Sequence, residues 1–351
     1  MTHRQGGTKT PTLTRRSVVA GTAAAISAAA IARSGQAFAA EKLVMRLDWS
    51  THGCHAPFFL AIEKGWIKAA DLDLSIEEGN GSTTTVQLIG SGQFDLGHAA
   101  LAPMAIGKAK GLPVISIAGF IRRGDTGVLV PKDNNWTKPS DLIGKKCVYT
   151  AGSLEGPFVR PFFERNNVPL DKLSLLNVEA SAKVGTYLSG NADAAISTVP
   201  FMLPIASGKR DSAGILFADF GLDLPGFGLI AHRDKLKAKG AAIKRLASVI
   251  AATWVYILAG HEQEAADAIR AQRPDSPLPA KIFKEQIEAY RSFFHTAATA
   301  NTPIGLQSDV DWQKTLKDME GADTIPRGTK PSDYFTNDFI DHGYGKKLIG
   351  A

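Results

Sequence analysis

From Lys42 to Ala231 short apolar stretches with strand-like alternation are followed, again and again, by stretches with helical spacing that end on glycine. This constrains the chain more than any other feature, because repeated strand–helix–strand units build sheets covered by helices, an α/β architecture. Lys42 to Trp49 alternates apolar residues. Pro57 suits the first turn of the next helix, Phe58, Phe59 and Ile62 give it an apolar face, and Gly65 suits its end. Leu72, Leu74 and Ile76 alternate, Gly79-Asn80-Gly81 is a turn, and Ser82 is expected to cap a helix over 83–89 that Gly90 stops. A strand over 94–99, a helix over 102–109 and a strand over 114–121 complete a first unit, 40–124. A second unit, 125–225, carries strands at 127–130, 145–150, 173–178 and 193–197 and helices at 158–166 and 182–189. The segment 226–351 opens with a strand over 226–231 and continues into a helical tail, expected to cover the shorter first unit. Its leading helix places Ile243, Leu246, Ala247, Ile250, Trp254 and Ile257 at three-and-four spacing, so Trp254 reads as core.

The basic balance of the chain, +6 with 40 Lys and Arg against 34 Asp and Glu, would suggest a polyanionic partner if it were spread evenly. It is not. Residues 1–39 hold Arg4, Lys9, Arg15, Arg16 and Arg33 and no acid, and removing those five leaves 35 basic residues against 34 acidic, a charge of +1. Arg15-Arg16 directly precedes the small apolar run Val18 to Ala32, which is too short for the ~20 residues that a bilayer-spanning helix requires. Ala37-Phe38-Ala39 supplies the small residues of a cleavage site. Residues 1–39 therefore resemble a twin-arginine export signal, with cleavage after Ala39 and a mature periplasmic chain from Ala40. No cysteine follows the apolar run, so no lipid anchor is expected there. The remaining +1 chain lacks a basic patch interleaved with aromatics, which argues against nucleic acid.

Three loops put backbone donors after strands and before helices: His52-Gly53-Cys54-His55, Gly79 to Thr84, and Gly152-Ser153-Leu154-Glu155-Gly156. Free N–H groups and the positive end of a helix favour an anion or polar acceptor at such places. Trp49, just before the first loop, can stack on a flat ligand or belong to the core. His52, Cys54 and His55 are close in sequence, but their spacing matches no strong metal signature and no metal is expected. Cys54 and Cys147 fall in different units, so no bridge between them is expected. Nucleophile elbows, phosphate-binding loops and dinucleotide fingerprints are missing from the sequence.

The order of these motifs resembles a known family. Leu47-Asp48-Trp49, His55-Ala56-Pro57-Phe58-Phe59-Leu60-Ala61 with Lys64-Gly65-Trp66, Leu88 to Gly92 with Asp95-Leu96-Gly97, Thr126 to Leu129, Asp141 to Lys146, and Gly190-Asn191-Ala192-Asp193-Ala194-Ala195 look like the SsuA/THI5-like (NMT1-type) group. The resemblance spans about residues 43–260. It implies a type II periplasmic-binding fold, two α/β lobes joined by two crossovers with the ligand closed between them, and delivery to an ABC permease and ATPase. The implied ligands are sulfonates, taurine, nitrate or pyrimidine precursors of thiamine.

One branch of the group is a fungal pyrimidine synthase. Its lysine position corresponds here to His98, its histidine position to Ala102, and its cysteine-rich stretch to Leu224 to Gly228, so an enzyme is not expected. The pyrimidine binders carry an acid where this chain has Val199-Pro200, which favours the sulfonate and nitrate type. The expectation is thus a monomeric, non-enzymatic solute-binding protein without cofactor, for a small anionic or polar solute. The cleft is assigned Trp49 for stacking, Gly53, Ser82, Thr83, Ser153 and Thr198 as donors, and His52, His55 and His98 for polar orientation.

Overall fold

The structure is a computed structural model; it describes residues 1–3, 6–7 and 40–350. The expected signal and its cleavage site lie outside the described residues. In the unit Ala40–Ala351 the chain alternates strands and helices as its periodicity dictates. The first lobe begins with β1 (Glu41–Arg46), α1 (Ala56–Glu63), α2 (Trp66–Ala69), β2 (Leu72–Glu77), α3 (Ser82–Gly90), β3 (Leu96–Ala100), α4 (Leu101–Ala109) and β4 (Val114–Gly119). The chain then crosses to the second lobe. There it forms β5 (Thr126–Pro131), β6 (Lys146–Tyr149), α5 (Val159–Arg165), β7 (Ser174–Asn177), α6 (Ala180–Leu188), β8 (Ala194–Thr198), α7 (Val199–Ala206) and β9 (Ser212–Leu216). It returns as β10 (Phe227–His232), followed by α8 (Arg233–Leu258), α9 (Glu262–Gln272), α10 (Ala280–Tyr290), α11 (Asp309–Gly321), α12 (Pro331–Tyr334) and α13 (His342–Ile349).

The two sheets share one plan. The first runs β2-β1-β3-β10-β4 and the second β7-β6-β8-β5-β9. In each, β-strands pair in parallel, apart from one strand that arrives by a crossover and runs antiparallel to both neighbours. That strand is β10 between β3 and β4, and β5 between β8 and β9. Parallel strands place their carboxyl ends on one edge, where ligands bind in open α/β sheets. The crossovers, between β4 and β5 and between β9 and β10, form the hinge.

Most of the expected elements appear within a residue or two of their ends. Three in the two lobes were not foreseen, the shortest of them the one-turn α2. The stretch that forms α7 contains Pro200 and Pro204 and reads as broken; Pro200 in fact sits in the first turn, where its missing N–H costs nothing, and the helix stops soon after Pro204. The edge strand β9, Ser-Ala-Gly-Ile-Leu, has too little alternation to announce itself.

The apolar stripe of α8 packs under the first sheet, and Trp254 is fully buried with Ile243, Leu246 and Ile250. Full burial of each such side chain contributes about 1.5–3 kcal/mol. By length and composition α8 could cross a membrane, but most of it is buried inside this fold. The same cluster takes in α1, α9 and α10, so the tail covers the first lobe.

Candidate functional site

The loop after β1 folds into a buried knot of polar side chains. Asp48, two residues past the strand, accepts from His55 Nε2 at 2.9 Å and from His98 Nδ1 at 2.8 Å, both on Oδ1. The His52 backbone N–H donates to His55 Nδ1, which fixes the proton of that ring on Nε2, facing Asp48. The second nitrogen of His98 lies 3.6 Å from Cys54 Sγ. His52 Nδ1 accepts the Cys54 N–H, and the His52 ring packs between Phe201 and Tyr290. Asp48, His52, Cys54, His55 and His98 are all buried.

Their ionisation follows from burial and partners. Burial pushes the Asp48 carboxyl up, but hydrogen bonds and charge from His55 and His98 outweigh it and hold the group well below the usual carboxylate range. Burial lowers His98 despite Asp48, and burial and the neighbouring His55 lower His52. The Cys54 thiol is pushed well above its ordinary value by burial and by the charges of Asp48 and Asp125. A thiol held protonated is a poor nucleophile.

Two triplets in this knot, Asp48 with His55 and His98, and His52 with Cys54 and His55, place candidate metal-ligating atoms within 4.8 Å of one another. The hydrogen bonding opposes metal capture as the residues stand. A metal-binding imidazole donates its other N–H to an acceptor, whereas His55 Nδ1 meets an N–H donor. The knot is a buried hydrogen-bonded cluster that ties the loop after β1 to β3.

Of the cleft assignments from the sequence, Trp49, His52, Thr83, Ser153 and Thr198 make contacts between the lobes, whereas Gly53, His55, Ser82 and His98 are engaged within the first lobe and its tail. Gly53 is not an available donor. Its N–H bonds Gln286 Oε1 at 2.8 Å, and a Cβ there would come within 2.6 Å of Gln286 Cβ, so glycine is required for α10 to pack over the loop. Ser82 does not cap α3. Gly81, at φ +151°, holds that position, and the Ser82 hydroxyl accepts the Ala100 N–H instead. Thr83 reaches across the cleft and donates from Oγ1 to the Ser153 carbonyl at 3.0 Å. Gly81 lies so close to Gly152 that a Cβ would sit 2.1 Å from its carbonyl oxygen. Thr83, Ser153 and Gly81 thus hold the lobes together. Thr198, at the start of α7, faces the Tyr290 hydroxyl at 3.4 Å.

Trp49 is buried but borders an open pocket of about 330 Å³, shared with Ser50, Gly79 and Asn80 of the first lobe and Glu179, Ala180 and Ser181 of the second. Over its ring, at 4.7 Å, lies the ammonium of Lys183 from α6. Lys183 Nζ donates to Glu155 Oε1 at 2.6 Å, and the Thr150 N–H bonds the same oxygen. Lys183 and Glu155 are both buried, and Glu155 Oε2 has no hydrogen-bond partner. The sequence reading assigned no role to Asp48, Asp125, Glu155, Lys183 or Tyr290. The hub function of Asp48 needs His98, fifty residues away, and no spacing signals that. Glu155 does stand in one of the three donor loops, where a carboxylate before a helix is a readable signal.

Two parallel-sheet lobes with one inserted antiparallel strand each, hinged at paired crossovers, define a two-lobed solute-binding fold. The solved nitrate-binding protein NrtA of Synechocystis shares it, at TM-score 0.65 and 14% identity, with 85% of this chain and 86% of that chain covered. So does the alkanesulfonate-binding protein SsuA of Xanthomonas axonopodis pv. citri, solved with MOPS bound, at 0.63 and 14%, over 84% and 98%. The family described as NMT1/THI5 like matches residues 53–265, and the chain belongs to that family. Among its relatives, the formylaminopyrimidine-binding protein of Halalkalibacterium halodurans is 23% identical over 85% of this chain and 91% of its own length. A Saccharomyces cerevisiae 4-amino-5-hydroxymethyl-2-methylpyrimidine phosphate synthase is 37% identical, but over 31% of this chain and 32% of its own length.

Proposed function

We propose that the chain is the exported solute-binding component of an ABC importer, with residues 1–39 as its leader, and that its cleft takes a flat heterocycle bearing N–H groups, of the aminopyrimidine class. The carrying observation is the wall around Trp49. The Trp49 ring borders the open pocket, the Lys183 ammonium covers one of its faces, and that ammonium is paired with a buried carboxylate whose second oxygen, Glu155 Oε2, has no partner. An aromatic wall with an unfilled acceptor behind it suits a ring that stacks and donates. A sulfonate or nitrate, the first expectation from sequence, has Lys183 in its favour, but this ammonium is already paired with Glu155. Two of the three donor loops spend their donors within the protein: the Gly53 N–H on Gln286, and the Thr83 hydroxyl on Ser153. A relative that matches along nearly its whole length is named for a pyrimidine ligand, which supports the same class.

Binding without turnover is the accompanying reading. His98, which stands where the synthases have a lysine, carries no amine and is held between Asp48 and Cys54. Native mass spectrometry of the protein recovered from the periplasm tests the function: a retained aminopyrimidine is expected, and a retained sulfonate would overturn the ligand class.

A further inference from the structure

At the hinge, Asp125 ends the first crossover and leads into β5. Its backbone is engaged, its carbonyl accepting the Val199 N–H. Its side chain is fully buried, and neither carboxyl oxygen has a hydrogen-bond partner. Thr126, the next residue, pairs with Thr198 at the carboxyl end of β8, so Asp125 stands at the cleft edge of the second sheet. The other crossover lies against it: a Cβ on Gly226 would come within 3.1 Å of Asp125 Oδ1. A buried carboxyl without partners costs several kcal/mol, and an unpaired buried group needs a partner from outside the chain or a role that repays its cost.

We propose that Asp125 is a specificity-determining residue of the cleft, pairing through both carboxyl oxygens with an adjacent acceptor and donor on the ligand, such as a ring nitrogen and the exocyclic amine beside it. This rests on the aminopyrimidine reading of the cleft. The protonated acid has the matching pattern, an O–H that donates to the ring nitrogen and a C=O that accepts from the amine. Burial, with the charge of Asp48 adding to it, raises this carboxyl to about 8, so it carries its proton at neutral pH. The groups whose charges reach it do not titrate near that value. Cys54 and Tyr290 are pushed above their ordinary ranges, and Asp48 stays ionised far below. An anion such as a sulfonate, with acceptors only, satisfies half of this pattern at most.

The experiment is a calorimetric titration of the full chain with 4-amino-2-methylpyrimidine and with 2-methylpyrimidine, which lacks the amine, at pH 6.5 and 9. Wild type is expected to prefer the amine at least tenfold at pH 6.5 and to lose most of that preference at pH 9. Asp125→Ala is expected to discriminate less than threefold at either pH. Asp125→Asn has the same donor and acceptor in an amide, and is expected to keep the preference at both. Asp125→Asn is also the more conservative change, so the pH comparison stands if the alanine variant does not fold. Wild type that binds the pyrimidine, paired with an alanine variant that still discriminates tenfold or an asparagine variant with the wild-type pH response, would overturn the role of Asp125 alone. Wild type that binds neither compound would overturn this role and the ligand class together.

Discussion

Asp48 and Asp125 are both buried acids at the edge of the same cleft, yet the fold treats them in opposite ways. Asp48 sits in a loop tied down by α10 and has two imidazole donors; its charge is kept. Asp125 sits on the crossover between the lobes and has no partner; its charge is suppressed. A buried carboxylate with its hydrogen bonds filled belongs to the scaffold. One left unfilled at a hinge is either a cost without return or half of a contact whose other half is a ligand.

The largest expected effect comes from breaking the filled acid. Asp48→Ala leaves His55 and His98 without their acceptor, and a loss of about 4 kcal/mol is expected in urea unfolding. The stability that the Asp48 pairs contribute is present above the ordinary carboxylate pKa of ~3.9 and is lost as pH falls toward the depressed native value. Lys183→Met comes next. It strands Glu155 as a buried charge, for about 3 kcal/mol, and Lys183→Met with Glu155→Gln should recover most of it.

Asp125 should respond with the opposite sign. Its native pKa lies above the unfolded one, so the native chain holds a proton that the unfolded chain has released between about pH 4 and 8. Stability therefore falls as pH rises through that window. Asp125→Asn should be neutral near pH 4 and clearly more stable than wild type at pH 8, read as a difference of unfolding midpoints. An asparagine variant that is less stable than wild type at pH 8 would mean that Asp125 has a partner after all. The smallest effect is at the seam of the lobes. Thr83→Val removes one cross-cleft hydrogen bond, worth about 1 kcal/mol, and should shift the ligand-free chain toward a larger radius of gyration in small-angle scattering.

What the sequence showed, and where it stopped, follows the range of the forces involved. Strand and helix periodicity is local, so the two α/β units and the core role of Trp254 were readable. The order of short motifs carried the family, because loop spacing is also a local property. Positions such as Trp49 and Thr198 were reachable because they stand at or just past strand ends. Their roles were not. Whether the Gly53 N–H is free depends on Gln286, more than two hundred residues away. Whether Lys183 offers charge to an anion depends on Glu155, and whether Asp125 has a partner depends on two crossovers meeting. The change of emphasis from an anion to an N–H donor ligand comes from those non-local pairings.

The most direct test of the central claim is an equilibrium titration of the full chain with 4-amino-5-hydroxymethyl-2-methylpyrimidine, taurine and nitrate under one set of conditions. Saturable binding of the pyrimidine, with taurine and nitrate at least a hundredfold weaker, is the result predicted. Tighter binding of taurine or nitrate would contradict the account of an acceptor-lined cleft.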